Sequence, residues 1–402
     1  MKNLTLLGST GSIGRNTLDV IRRHAEKYRV FALVAGQNVE LLASQILEFH
    51  PQVAVVATEG ALGNLTSKLQ QAGLPRAKWP EMGWGAQPRI EAARAPEVDF
   101  VMSAIVGVAG LPATYEAARL GKTIGLATKE VLVVGGRLVM QAASAAGAEL
   151  IPVDSEHNGV HQCLRVGQRS EVARIILTAS GGPFRDTPAE RLATVTPAEA
   201  LNHPTWKMGR RITIDSATMM NKGFEVIEAC WLFDMLPANV EVVIHPQSSV
   251  HAMVEYSDGS VIAQIATTDM RMPIQYALTY PDRASAPVPG LDWQAARTWE
   301  FRPPDLNKFP LLKLAYAAQA AGGSATCTLN AADEVAVEAF LEGQISFPGI
   351  AEVVEETLWQ MPNRPSQSVE EVLELDGEAR LLARRLVQRR AERSLNIALA
   401  RV

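Results

Sequence analysis

Short apolar runs alternate with segments of helical spacing along the first 150 residues. Residues 4–7 form such a run and end at Gly8-Ser9-Thr10-Gly11-Ser12-Ile13-Gly14. Ile13, Thr17, Val20, Ile21 and His24 then recur at the spacing of a helix with one apolar face. The pattern predicts strand, glycine loop, helix. Apolar runs at 30–35, 53–57, 100–105, 123–127 and 150–153 predict further strands, and 39–49 and 111–120 read as helices. Alternation of this kind predicts a Rossmann-like parallel sheet with helices on both faces.

Beyond Ile175 the texture changes. Runs at 244–246, 250–256 and 261–265 predict strands, with Asp258-Gly259 marking a hairpin turn. Pro287, Pro289, Pro303 and Pro304 mark a linker. Helical spacing over 311–321, 331–341, 349–361 and 377–399 predicts a bundle. The expected fold is therefore α/β, with a nucleotide-binding domain over 1–150, an α+β catalytic domain over 151–284, a linker over 285–310 and a helical domain over 311–402.

A chain of 402 residues is long enough for two or three cores. With 47% hydrophobic and 20% charged residues, and no apolar stretch of membrane-spanning length, it is expected to be soluble and to have no membrane partner. A formal charge of -5 offers no global attraction to nucleic acid. The arginine-rich tail from Arg384 to Arg393 is interleaved with Glu378 and Glu392, as on a solvated helix face. Cys163, Cys230 and Cys327 are few and widely spaced, which predicts buried thiols in a reducing compartment. The N-terminus runs straight into the first predicted strand, so cytoplasmic localisation is expected.

Candidate chemistry begins at the glycine loop. Glycines let backbone approach a pyrophosphate, and the amides at a helix start attract it. The second predicted strand ends in Gly36-Gln37-Asn38, without the acid that would bind an NAD ribose. NADP is therefore favoured, with Gln37 and Asn38 as hydrogen-bond donors. Thr128-Lys129-Glu130 and Asp154-Ser155-Glu156-His157-Asn158 each follow a predicted strand, at the carboxyl ends where such sheets bind ligands.

In an extended chain Asp154 and Glu156 point the same way, as a metal pair would; an acidic loop is the plainer alternative. In a helix Asn221 and Glu225 share a face, and Glu225 supplies a third carboxylate. Three hard oxygen donors suit Mg2+ or Mn2+, whereas zinc recruits Cys or His. Ser180, in a small-residue turn, together with Ser216, Asn221 and Lys222, suits a phosphate, although the turn alone needs no ligand to explain it. Residues 203–211, with His203, Trp206 and Lys207, read as a lid. His157 and His251 read equally well as structural histidines. Nicotinamide cofactor, divalent metal and phosphate pocket together point to reduction of a phosphorylated sugar-like substrate.

These blocks, with Ser180-Gly181-Gly182-Pro183-Phe184, His203-Pro204, the run from Asp215 to Gly223, Glu225 and Ile244-His245-Pro246-Gln247-Ser248, resemble the 1-deoxy-D-xylulose 5-phosphate reductoisomerase family. They span most of the chain in family order, and the block from Asp215 to Glu225 is the most specific. The resemblance implies that Asp154, Glu156 and Glu225 hold the metal and that Lys129 and Ser155 contact the reacting end of the substrate. It assigns the phosphate to Ser180, Ser216, Asn221 and Lys222, and places His203 on the closing loop with Trp206 and Met208 covering the substrate. Thr10, Gly11, Ser12, Ile13, Gly36, Gln37, Asn38, Thr128, Glu130 and Gly209 are implied to line the NADPH site. The implied protein is a homodimer, with dimerisation assigned to the middle domain. The implied reaction is metal-assisted rearrangement of the carbon skeleton, by retro-aldol cleavage and re-addition, followed by reduction to 2-C-methyl-D-erythritol 4-phosphate in non-mevalonate isoprenoid biosynthesis.

Five positions depart from the family pattern: Thr128 stands where Asn is usual, Val131 where Ser is usual and Gln37 where a basic residue is usual, with milder exchanges at Arg211 and Thr213. The rival readings are another metal-assisted NADP oxidoreductase acting on a phosphorylated or hydroxy-acid substrate, and a nucleotide-sensing Rossmann protein without chemistry.

Overall fold

The computed structural model describes residues 1–206 and 208–399, with side chains through 392. Lys207 of the expected lid and the side chain of Arg393 lie outside the described residues. Contacts divide the chain into two compact units. The first is Met1–Val131, Arg137–His161 and Asp269–Leu291, and the second is Leu132–Gly136, Gln162–Thr268 and Asp292–Val402.

In the first unit the elements run β1 (Lys2–Leu7), α1 (Ser12–Arg23), β2 (Tyr28–Val34), α2 (Val39–Phe49), β3 (Val53–Val56), α3 (Glu59–Gln71), β4 (Glu81–Trp84), α4 (Ala86–Arg94), β5 (Phe100–Ser103), α5 (Leu111–Arg119), β6 (Thr123–Leu126), α6 (Glu130–Ala146), β7 (Leu150–Pro152) and α7 (Ser155–Cys163). The seven strands form one parallel sheet in the order β4-β3-β2-β1-β5-β6-β7. Parallel strands are covered on both faces, which is why they read as unbroken apolar runs. The strand order reverses between β1 and β5, and the glycine loop leaves β1 at that switch point.

Close backbone approach explains the loop's glycines. Gly8 has φ +94°, and a Cβ there would stand 2.4 Å from the Ala104 carbonyl oxygen; at Gly14 it would stand 2.4 Å from the Gly8 oxygen. The segment from α3 through α4 escaped the sequence pattern because β4 is a half-exposed edge strand, so its apolar signal is weak.

The second unit holds β8 (Val172–Ala179), α8 (Pro197–Ala200), α9 (Arg210–Ala217), α10 (Met220–Leu232), β9 (Val240–Ile244), β10 (Val250–Tyr256) and β11 (Val261–Ile265). Its sheet is mixed, in the order β11-β10-β8-β9, with β8 and β9 parallel and the other pairs antiparallel. The hairpin at Asp258-Gly259 is as expected, with Gly259 at φ +84°. After α11 (Arg271–Thr279) come α12 (Pro310–Ala321), α13 (Ala325–Leu341), α14 (Phe347–Gln360) and α15 (Val369–Leu399). Phe347 joins this layer together through edge-to-face contacts with Phe184 and Phe340, at ring separations of 5.0 and 5.7 Å.

The division differs from the expected boundaries in two ways. Residues 151–161 and 269–284 belong with the first unit, because Ile274, Tyr276, Ala277 and Leu278 of α11 share its core with Leu4 and Leu33. The Tyr28 hydroxyl also donates to the Leu278 carbonyl at 3.1 Å. The C-terminal helices form no separate unit, since α12 packs on α10 and α13 packs on α9. The three cysteines are buried and free, and burial pushes Cys163 up to about 11 and Cys230 up to about 12. No helix among the described residues is long and apolar enough to cross a membrane.

Gly14→Ala tests the loop's packing. A methyl group at Gly14 meets rigid backbone, so the variant is expected to lose about 1–3 kcal/mol in urea unfolding and to bind NADPH weakly. At Gly11 an added Cβ would lie 3.4 Å from the Gly8 oxygen, so Gly11→Ala is expected to stay near wild-type stability. Equal losses in the two variants would contradict the argument.

Candidate active site

In the first unit, β6 and β7 are neighbours with Leu126 beside Pro152, so the residues just past their carboxyl ends emerge side by side. Lys129 and Asp154 meet there, and the Lys129 ammonium donates to an Asp154 carboxylate oxygen with both side chains largely out of solvent. The Asn158 amide fixes the turn from below by donating to the Pro152 carbonyl at 2.8 Å. Ser155 donates to Glu156.

The expected alternation of Asp154 and Glu156 does not occur, because Ser155 begins a helix. Asp154 stands just before this helix and Glu156 in its first turn, so the extended-chain argument for their convergence does not apply. One turn on, His157 returns to the Asp154 side, and their ligand atoms lie within 4.8 Å of one another. The sequence reading missed this approach because it treated the segment as extended.

The cofactor candidates of this unit surround the switch point. Gly11 is the N-cap of α1, with Ser12 and Ile13 in its first turn, and Thr10 is half-buried just before them. Gly36 and Gln37 are exposed beyond β2, and Asn38 caps α2 by accepting from the Leu41 amide at 3.2 Å. Thr128 is buried and its hydroxyl donates to the Ser103 carbonyl at 3.4 Å, while Glu130 opens α6.

In the second unit, Gly181 and Gly182 adopt φ +81° and +68°. A Cβ at Gly182 would lie 2.6 Å from the Ser216 carbonyl oxygen, so glycine lets the Ser180 turn press against the end of α9. Met219, at φ +65°, turns the chain from α9 into α10. Ser216 is thereby brought beside the Ser180 turn, and Asn221 and Lys222 follow in the first turn of α10. Helix amides with partial positive charge, hydroxyls, an amide and an ammonium suit a phosphate. Both Asn221, at 2.5 Å, and Lys222 donate to Glu225 one turn along, and Lys222 and Glu225 are only 3% and 1% exposed.

His203 reaches the Ser180 hydroxyl, with 3.0 Å between Nε2 and Oγ. Its Nδ1 accepts from the amides of Thr205 and Trp206 at 3.1 and 2.9 Å. The imidazole therefore carries its proton on Nε2 and donates it to Ser180. Burial, helped by the positive charge of Arg185, holds His203 below the usual histidine range. Gly209 is the N-cap of α9, and its carbonyl accepts from the Thr213 hydroxyl at 2.8 Å.

Sequence reasoning put Arg211 in the lid, whereas it stands in the first turn of α9, and it missed Asp333; both lie in a buried ionic cluster at α9 and α13. Their signal was an Arg-Asp pair at helical spacing, Arg211 and Asp215, and the adjacent acids Asp333 and Glu334 within the largely apolar segment 329–340.

Three models of 1-deoxy-D-xylulose 5-phosphate reductoisomerase domains match residues 4–136, 150–233 and 265–382. The 1-deoxy-D-xylulose 5-phosphate reductoisomerase of Solibacter usitatus is 68% identical over 391 residues, covering 97% of this chain and 98% of the relative. The chain belongs to the 1-deoxy-D-xylulose 5-phosphate reductoisomerase family. The reductoisomerase of Pseudomonas aeruginosa is 49% identical, over 97% of this chain and 99% of its own. Among solved structures, the Zymomonas mobilis reductoisomerase in complex with NADPH has a TM-score of 0.89 at 44% identity, covering 96% of this chain and 99% of that one. A reductoisomerase in complex with NADPH, fosmidomycin and magnesium has a TM-score of 0.90 at 41% identity, covering 96% and 98%. As a member of the reductoisomerase family the chain is an enzyme.

The His203 geometry sets a pH dependence. A lowered folded pKa means that the neutral form contributes stability above the unfolded value and that this contribution is lost as pH falls through the folded one. Protonated Nδ1 would face two amide donors, so the loop should loosen on that side. NMR titration is expected to place His203 below the ordinary 6.5, and the substrate KM should rise as pH drops through the value found. A His203 titrating above the ordinary value would contradict the assigned tautomer.

Proposed function

We propose that this enzyme converts 1-deoxy-D-xylulose 5-phosphate to 2-C-methyl-D-erythritol 4-phosphate with NADPH and a divalent cation, within non-mevalonate isoprenoid biosynthesis. The observation that carries the reading is the Asn221-Lys222-Glu225 turn of α10, which joins a phosphate-type cradle to a buried carboxylate on one helix. Asp154, Glu156 and Glu225 are the proposed metal ligands. The donor set fits Mg2+ or Mn2+, being carboxylate oxygen without thiolate, and Lys129 and Lys222 keep two of its members ionised. When bound, the cation supplies Lewis-acid polarisation of the substrate's oxygens, and NADPH supplies a hydride.

The chain's own groups do the rest. Ser180, Ser216, Asn221 and Lys222 hold the phosphate, which fixes the far end of the substrate and leaves its reacting end oriented. The Ser180 hydroxyl, receiving a hydrogen bond from His203, is left to donate its own proton to a phosphate oxygen. Lys129 and Ser155 contact the reacting end, and Lys129 also holds Asp154 in place. Thr10, Gly11, Ser12 and Ile13 take the NADPH pyrophosphate at the start of α1. Gly36, Gln37 and Asn38 lie at the end of β2, where the adenine ribose belongs, and Thr128, Glu130 and Gly209 complete the cofactor contacts. Residues 203–206 and 208–209 cover the substrate. We place the enzyme in the cytoplasm as a homodimer.

The assay follows NADPH absorbance with purified protein, 1-deoxy-D-xylulose 5-phosphate and Mg2+, and again with chelator. Loss of NADPH that stops with chelator is expected. Lys222→Ala should raise the substrate KM by about tenfold or more, on the order of the 1.4 kcal/mol or greater worth of a charged hydrogen bond, with the NADPH KM little changed. NADPH that binds but is not consumed with either Mg2+ or Mn2+ would defeat the assignment.

A further inference from the structure

The second unit contains a buried ionic cluster that the proposed chemistry does not use. Arg211, in the first turn of α9, reaches Glu334 at 2.6 Å and Asn330 at 3.1 Å, both on α13. The same guanidinium lies 3.6 Å from Asp215 and 3.7 Å from Asp333. From α15, Arg380 pairs with Glu334 at 2.7 Å and with Asp376 at 2.5 Å. Cys327 of α13 also neighbours the cluster, and its thiol is pushed up to about 12, so it carries no charge.

Among the contacts of the described residues, carboxyl groups outnumber guanidinium groups in this cluster. Asp215, Asp333, Glu334 and Asp376 present four carboxyl groups to the two guanidinium groups of Arg211 and Arg380. Asp333 is fully buried, and neither of its oxygens receives a hydrogen bond from a donor group. A buried carboxylate in that position is costly unless a proton neutralises it. Asp215 is 4% exposed and lies against the same Arg211 guanidinium from α9. Burial and the neighbouring Asp215 carboxyl push Asp333 well above the usual carboxylate range, against the pull of Arg211.

We propose that Asp333 and Asp215 share one proton, and that this shared proton positions α9, and with it Ser216, for the substrate phosphate. The inference rests on the reading of Ser216 as a phosphate ligand. Asp333 is then a positioning residue acting through Asp215, one residue before Ser216 in the same helix. Raising the pH removes the shared proton and leaves two anions together out of water, which repel and displace the end of α9.

The test is the pH profile of kcat and of the KM for 1-deoxy-D-xylulose 5-phosphate, measured on the holoenzyme for wild type, Asp333→Asn and Asp333→Leu. Asparagine keeps a donor towards Asp215 and has no proton to lose. Wild type is expected to show a substrate KM that rises several-fold on the alkaline side, with kcat and the NADPH KM changing less. Asp333→Asn should match the wild-type KM within about threefold at neutral pH and lose the alkaline rise. Asp333→Leu offers no partner to Asp215 and should have a raised KM at every pH.

Two further measurements keep the outcomes distinct. An infrared band of a protonated carboxylic acid should be present in wild type and absent in both Asp333→Asn and Asp215→Asn, whatever their activity. Ser216→Ala should raise the substrate KM if the phosphate reading holds. An alkaline rise that persists in Asp333→Asn, or an unchanged infrared band, overturns the shared proton while leaving the phosphate site standing. A Ser216→Ala enzyme with unchanged KM removes the phosphate reading, and with it the link to substrate.

Discussion

A carboxylate taken out of water must be neutralised where it stands, and this requirement organises both units of the chain. Asp154 meets Lys129, Glu225 meets Lys222 and Asn221, and Asp215 and Asp333 lie around Arg211. Removing one partner of such a pair typically costs about 3–5 kcal/mol, a large share of a domain's stability. Hydrophobic replacements of similar volume are often as stable, so folding alone does not explain their retention. For Asp154 and Glu225 the proposed chemistry does.

The backbone supplies each pairing by a different route. In the first unit two parallel strands end level, so the residues that follow them face each other although they lie 25 positions apart in sequence. In the second unit a single helical turn suffices, since Asn221, Lys222 and Glu225 stand at i, i+1 and i+4. The left-handed Met219 and the two positive-φ glycines of the Ser180 turn then set the neighbouring hydroxyls. At Gly182 an added Cβ would stand 2.6 Å from the Ser216 carbonyl oxygen, so glycine is what allows the close approach.

Legibility in the sequence followed the same division. Strand and helix periodicity located the parallel sheet, and the 250–256 and 261–265 strands appear with those bounds. The helical face shared by Asn221 and Glu225 was readable because it depends on local spacing alone. The alternation assigned to Asp154 and Glu156 failed for a local reason too: the chain turns helical at Ser155, where an apolar run had suggested extension. What stayed hidden depends on distant packing. Lys129 with Asp154 needs the strand order, Arg211 with Asp333 needs α9 against α13, and the placement of α11 in the first core needs Tyr28 and Leu278 to meet. The edge strand β4 was hidden because half-exposed strands lose the apolar signal.

On the proposed function, Lys222 faces two demands from one position. Its ammonium neutralises Glu225, and the phosphate at the start of α10 draws on the same charge. One lysine does not fully compensate two anions at low dielectric, where each uncompensated charge is costly. Phosphate binding would draw on the charge that Lys222 presents to Glu225, and a divalent metal there would add positive charge. By linkage the dependence runs both ways, so a metal at Glu225 releases Lys222 towards the phosphate. Placing both groups on one turn of α10 couples recognition of the inert end of the substrate to assembly of the metal site at its reacting end.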